Sequence, residues 1–113
     1  MKINHIHVGI SSLGDAVEWL QRIWDIRPAF YQEGRMATFQ FESFILIFDQ
    51  AEQDCPVTIG FETDNCDFEY SYALQKGAQS FKPPENMKWG GRAAYIQGPG
   101  AVIFEFESPV TTG

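Results

Sequence analysis

Residues 3–20, INHIHVGISSLGDAVEWL, change their apolar period halfway along, and that change decides the fold. Over 3–10 the side chains alternate. Ile6, Val8 and Ile10 fall on one face, and His5, His7 and Gly9 on the other. Period two is the mark of a strand. From residue 12 the spacing lengthens. Leu13, Ala16, Val17, Leu20, Ile23 and Trp24 lie at i, i+3, i+4, i+7, i+10 and i+11, which is one stripe of an amphipathic helix. Ser12, with Asp15 three residues on, reads as a near capping box, and Pro28 closes the helical region.

Three short strands follow at about 28–33, 35–42 and 44–49, with a turn at Gly34 and a weaker one at Glu42-Ser43. A polar linker, QAEQDCP, occupies 50–56, and then the order begins again. VTIGFET (57–63) is a strand with Val57, Ile59 and Phe61 on one face. Asp64 or Asn65 caps a helix striped by Cys66, Tyr70, Ala73 and Leu74, with Gly77 as its C′ residue. Next come a strand near 78–82, a loop PPENMKWGGR (83–92), a strand at 92–97, a GPG turn and a strand at 101–107. A shift of 53 residues carries Ile6, Val8 and Ser12 onto Ile59, Phe61 and Asn65. The chain therefore reads βαβββ twice. The expected class is α+β: two tandem βαβββ modules forming a curled mixed sheet around a central cleft, with the helices outside. One domain is expected over 1–113, with module one at about 1–50 and module two at about 56–108.

Fifteen acidic against eight basic residues leave a formal charge of −7. Nucleic acid is excluded as a partner, because phosphate binding needs Lys and Arg patches. The charge favours a cationic ligand through steering, and it also serves solubility. Cys55 and Cys66 have neither zinc nor CxxC spacing and read as free, partly buried thiols. No signal-peptide pattern and no apolar run of roughly 18 residues is present, so a cytoplasmic location without membrane association is expected.

The alternation also assigns the polar faces. On the last strand Val102, Phe104 and Phe106 pack, which turns Glu105 and Glu107 to the cleft with His5 and His7. Imidazoles at i and i+2 of a strand stand about 6.6 Å apart and reach one ion. With Glu105 they make a two-histidine, one-carboxylate set suited to Fe(II), Mn(II) or Zn(II). Asp49, on the same face of the fourth strand, is a more distant donor. The same residues also work without an ion, as hydrogen-bonding groups on a wet cavity wall. Glu107 is a candidate base or ligand contact. Gly60, beside Thr58, leaves room on the cleft face, and Arg92 and Trp89 complete the candidate ligand-binding set. A cleft with Trp, carboxylates and space suits a planar, cationic guest.

Four stretches, INHIHVGISSLGDAVEWL, IGFETDNCDFEYSYALQKGA, PPENMKWGGRAAYIQGPG and GAVIFEFES, together resemble the vicinal oxygen chelate superfamily of glyoxalases, bleomycin-resistance proteins and extradiol-type dioxygenases. The style is closest to the small bleomycin-resistance-like members. The resemblance implies metal-ligand positions at His5 and Glu105. It puts Thr58, a poor ligand, and Ile47, which is none, at the other two positions. The WGG feature at 89–91 resembles a segment whose aromatic residue stacks on a flat ligand. A homodimer and a small-molecule ligand are also implied. Two activities follow as expectations. One is sequestration of a planar or cationic ligand without a complete metal site. The other is a lyase, isomerase, epimerase or dioxygenase reaction dependent on a divalent metal (Fe, Mn, Zn or Ni) held by His5 and Glu105.

Overall fold

The computed structural model describes residues 3–110. They divide into two compact units: the residues up to Pro56 with Pro99–Ala101, and Val57–Gly98 with the residues from Val102. In the first, the alternating stretch forms β1 (His5–Ile10) and the respaced stretch forms α1 (Leu13–Trp24). β2 (Phe30–Gln32), β3 (Met36–Gln40) and β4 (Ile45–Gln50) complete a sheet of order β1-β4-β3-β2. The β1–β4 pair is parallel and the others are antiparallel, so the sheet is mixed. α1 packs on β3 and β4, burying Val8, Ile10, Phe39, Leu46 and Phe48 beneath Leu13, Ala16, Leu20 and Ile23. Burial of this kind is what holds a short helix, since each such side chain contributes about 1.5–3 kcal/mol on leaving water.

The second unit repeats the plan with β5 (Val57–Glu62), α2 (Cys66–Gln75), β6 (Gln79–Asn86), β7 (Gly91–Gln97) and β8 (Val102–Pro109). Its order is β5-β8-β7-β6, again with a parallel first-to-last pair. His7 pairs with Ile47 in the first unit and Gly60 with Glu105 in the second, so the repeat extends to the strand register. α2 packs on β6, β7 and β8 over Ile96, Phe104 and Phe106. No helix among the described residues is long and apolar enough to cross a membrane.

Four expectations need correction. Trp19 is buried on α1, whereas Val17 and Trp24 are half-buried, so the packed stripe is rotated toward Trp19. Ser12 stands at the N-cap, but its side chain makes no capping hydrogen bond. Asp54 instead accepts from the backbone N–H and hydroxyl of Ser11 at 2.8 and 3.0 Å. The 83–92 loop is mostly strand: β6 runs through Pro83 and Pro84 to Asn86, leaving only a tight turn before Gly91. β6 is an edge strand with register shifts at Ser80/Lys82 and Lys82/Glu85. Prolines are tolerated there because an edge has one side without a ladder. Finally, both cysteines are free, Cys66 buried and Cys55 exposed rather than partly buried.

Candidate functional site

The β6–β7 turn carries Trp89, which remains 61 % exposed. Gly90 takes φ +103°, a conformation glycine adopts without strain, and the turn closes through hydrogen bonds between Met87 and Gly91 and between Gly90 and Met87. This bend lays the indole across Gly91. A Cβ at Gly91 would overlap ring atoms of Trp89, so the missing side chain lets the ring come close against the strand. Most of the indole surface remains open to solvent.

Beside it, β5 and β8 run parallel, and Glu62 is the register partner of Glu107. Neighbouring strands stand about 4.8 Å apart, so both carboxylates project side by side from the sheet face away from α2. Trp89, Gly90 and Gly91 join Glu62, Glu107, Ser108 and Pro109 around an open pocket of about 260 Å³. Neither glutamate's carboxylate has a hydrogen bond or ion pair among the described residues. Two like charges next to one another without a counter-charge cost stability and favour a cation between them.

Further along the same face, Glu105 is anchored through one oxygen of its carboxylate and lies close over Gly60 with the other. Tyr95 donates its hydroxyl to Oε2 at 2.8 Å, and Oε1 lies over Gly60, where a Cβ would stand 3.0 Å from it. The hydrogen bond to Glu105, then burial, push the Tyr95 phenol up to about 12. The phenol thus remains a donor throughout the neutral range. Lys82 lies 5.7 Å from the centre of the Tyr95 ring, and Phe81 meets the ring edge-on. Thr58 shares this face through the period-two alternation with Gly60.

In the first unit His7 Nδ1 stands 2.7 Å from Asp49 Oδ2, and His5 Nδ1 stands 2.7 Å from Asn4 Oδ1. The two imidazoles meet edge to face at 5.5 Å. His7 and Asp49 are about half-exposed, so the pair contributes at most about 1 kcal/mol and mainly fixes the ring. Among the described residues no group of three or more His, Cys, Asp or Glu side chains is placed to hold a metal ion. In the first unit Asp49 engages Nδ1 of His7 and Ile47 offers no ligand atom, and in the second Tyr95 engages Oε2 of Glu105.

The structure therefore gathers Trp89 with Glu107, Gly60 with Glu105, and His7 with Asp49. Arg92 stands apart from these groups. Its Nε and Nη2 reach the Asp67 carboxylate of α2 at 2.7 and 3.1 Å, and Nη1 reaches Asn86 Oδ1 at 3.0 Å. This fork ties the helix to the hairpin. Glu62 was not singled out for the site by sequence, and Tyr95 only as one of several aromatics, with Phe30, Phe39, Phe41 and Trp24, able to reach the cavity or a dimer interface. One more step of the alternation through Thr58 and Gly60 reaches Glu62, so its signal was present. Tyr95 needed the β7–β8 register that sets it opposite Glu105.

No protein-family model matches the chain, and no curated protein matches it. Solved structures do. A glyoxalase/bleomycin resistance protein/dioxygenase from Nocardioides superposes with TM-score 0.84 at 19 % identity, over 100 % of this chain and 86 % of its own. A lactoylglutathione lyase from Agrobacterium tumefaciens gives 0.80 at 13 %, over 95 % and 92 %. A glyoxalase/bleomycin resistance protein from Catenulispora acidiphila DSM 44928 gives 0.76 at 20 %, over 96 % and 100 %. The chain shares the fold of the superfamily its sequence resembles, and at these identities the likeness is one of fold.

Proposed function

We propose that this protein binds and sequesters a small planar or cationic molecule in the Trp89 pocket, without a complete metal site. The observation that carries the reading is the exposed indole lying against Gly91 in one pocket with Glu62 and Glu107. An aromatic face and unpaired carboxylates together recognise a flat cation through stacking and charge. The fold supports the reading, since structures described as bleomycin resistance proteins share it. A homodimer accompanies the proposal, as the resemblance implies.

The test uses 1-methylquinolinium, a planar cation, as probe and follows the three indole N–H signals by NMR. Saturable movement of one signal, absent in Trp89→Phe because that signal is the one removed, identifies the site. Trp89→Ala is expected to weaken binding about tenfold to thirtyfold, the range of a partly desolvated cation–π contact. Unchanged affinity in Trp89→Ala refutes the reading.

A second reading, a metal-dependent enzyme, is favoured by one geometric feature. Asp49 fixes Nδ1 of His7, which leaves Nε2 outward in the manner of an oriented ligand. Bound metal per chain, measured on protein purified without a histidine tag and after exposure to Fe(II), Mn(II), Zn(II) or Ni(II), decides between the two. The sequestration reading expects no retained metal. About one ion per chain, lost in His5→Ala and Glu105→Ala, would establish the enzyme reading instead.

A further inference from the structure

From the same pocket we infer that the ligand carries a guanidinium or amidinium head, held edge-on by Glu62 and Glu107 and face-on by Trp89. The inference rests on the reading of the Trp89 pocket as a small-molecule site and narrows its chemistry. Three features set the shape. Glu62 and Glu107 are register partners on adjacent parallel strands, so two acceptor groups stand side by side about 4.8 Å apart at their origins. Both line the pocket without a protein cation. The indole lies against Gly91, with ring atoms where a Cβ there would stand, and it remains 61 % exposed beside the two acceptors.

A delocalised planar cation matches these features together. Its N–H groups lie in one plane and point outward in a fork, which meets carboxylates at its edge. Its π face is weakly hydrated and stacks on an aromatic ring. An alkylammonium is a compact, strongly hydrated charge, and it engages the ring face or the carboxylate pair with its single head, not both at once. A quinolinium has the flat face and the charge but no N–H donors for the glutamates. Inorganic divalent ions gain nothing from the indole, and the described residues supply no third donor.

The experiment titrates the full chain with benzamidine, benzylamine and benzyl alcohol, which share a phenyl ring and differ in the head. Indole NMR reports the site and calorimetry reports the affinity. Benzamidine is expected to bind about tenfold tighter than benzylamine, and benzyl alcohol weaker than both. Glu62→Gln and Glu107→Gln are each expected to lower benzamidine affinity about fivefold to tenfold, and to leave benzyl alcohol unchanged. These glutamates are exposed or half-buried, so the variants are expected to fold, and far-ultraviolet circular dichroism checks it. Equal affinity for benzamidine and benzylamine overturns the inference. If 1-methylquinolinium still binds in a Trp89-dependent way, the broader reading survives that result. Absence of Trp89-dependent binding by every probe overturns both.

Discussion

At the scale of single residues, the Tyr95–Glu105 hydrogen bond carries a clear titration signal. A phenol whose value rises from 10 to about 12 on folding keeps its proton more firmly in the native state. Its stabilising contribution is therefore complete below pH 10 and is lost as pH climbs from 10 to 12. Cys66, pushed up to about 11 mainly by burial and then by Asp67, acts in an earlier window, from pH 9 to 11. Tyr95→Phe removes only the hydroxyl. Its urea midpoint is expected to fall less steeply than that of the wild type between about pH 10 and 11.5, with the Cys66 part unaltered. Parallel profiles for the two proteins would mean that Tyr95 does not donate to Glu105 in solution. The face that carries Glu105 was legible from alternation alone. Its partner was not, because Tyr95 and Glu105 are joined by strand register, and one sequence does not state which residue of one strand stands opposite which residue of the next.

At the scale of elements, the legible parts are those where the period of the apolar residues changes. β1 to α1 and β5 to α2 were both visible, since a strand and a helix that each bury one face must space their apolar residues differently. Helix ends were legible where the cap is local. Asn65 caps α2 by accepting from the backbone of Phe68 at 3.0 Å, as its position before the helix suggests. At α1 the apparent cap failed: Ser12 makes no capping hydrogen bond, and the side-chain contact next to the helix start comes from Asp54, more than forty residues downstream, to Ser11. The second half of β6, beyond Lys82, was hidden for a related reason. Two adjacent prolines ordinarily argue against a strand, and only its edge position, a property of the finished sheet, makes them compatible with pairing. The consequence for the site is direct. With β6 paired as far as Asn86, Trp89 is carried on a short hairpin turn instead of a long loop, and its indole is held where a ten-residue loop would leave it free.

At the scale of the whole molecule, charge is the property that every part shares. Fifteen acidic side chains against eight basic ones surround the chain with a negative potential, whatever the pocket does locally. That field and the Glu62–Glu107 pair make separable contributions to cation binding, because salt screens them differently. The screening length falls from about 30 Å at 0.01 M salt to about 8 Å at 0.15 M. Charges far from a ligand are silenced over this range, while those in contact with it are largely retained. Benzamidine affinity is therefore expected to drop about threefold to tenfold between these two concentrations, and benzyl alcohol affinity to stay constant. Asp15 and Glu52, exposed acids outside the pocket lining with no ion-pair partner among the described residues, provide the control. Neutralising both, as Asp15→Asn with Glu52→Gln, is expected to weaken benzamidine binding modestly at 0.01 M salt and not at 0.15 M. Neutralising Glu62 or Glu107 is expected to weaken it at both concentrations. If Asp15 and Glu52 matter equally at both salts, the ligand is not where the carboxylates of β5 and β8 place it. If salt changes nothing for any variant, the acidity of the chain serves solubility and does not steer its ligand.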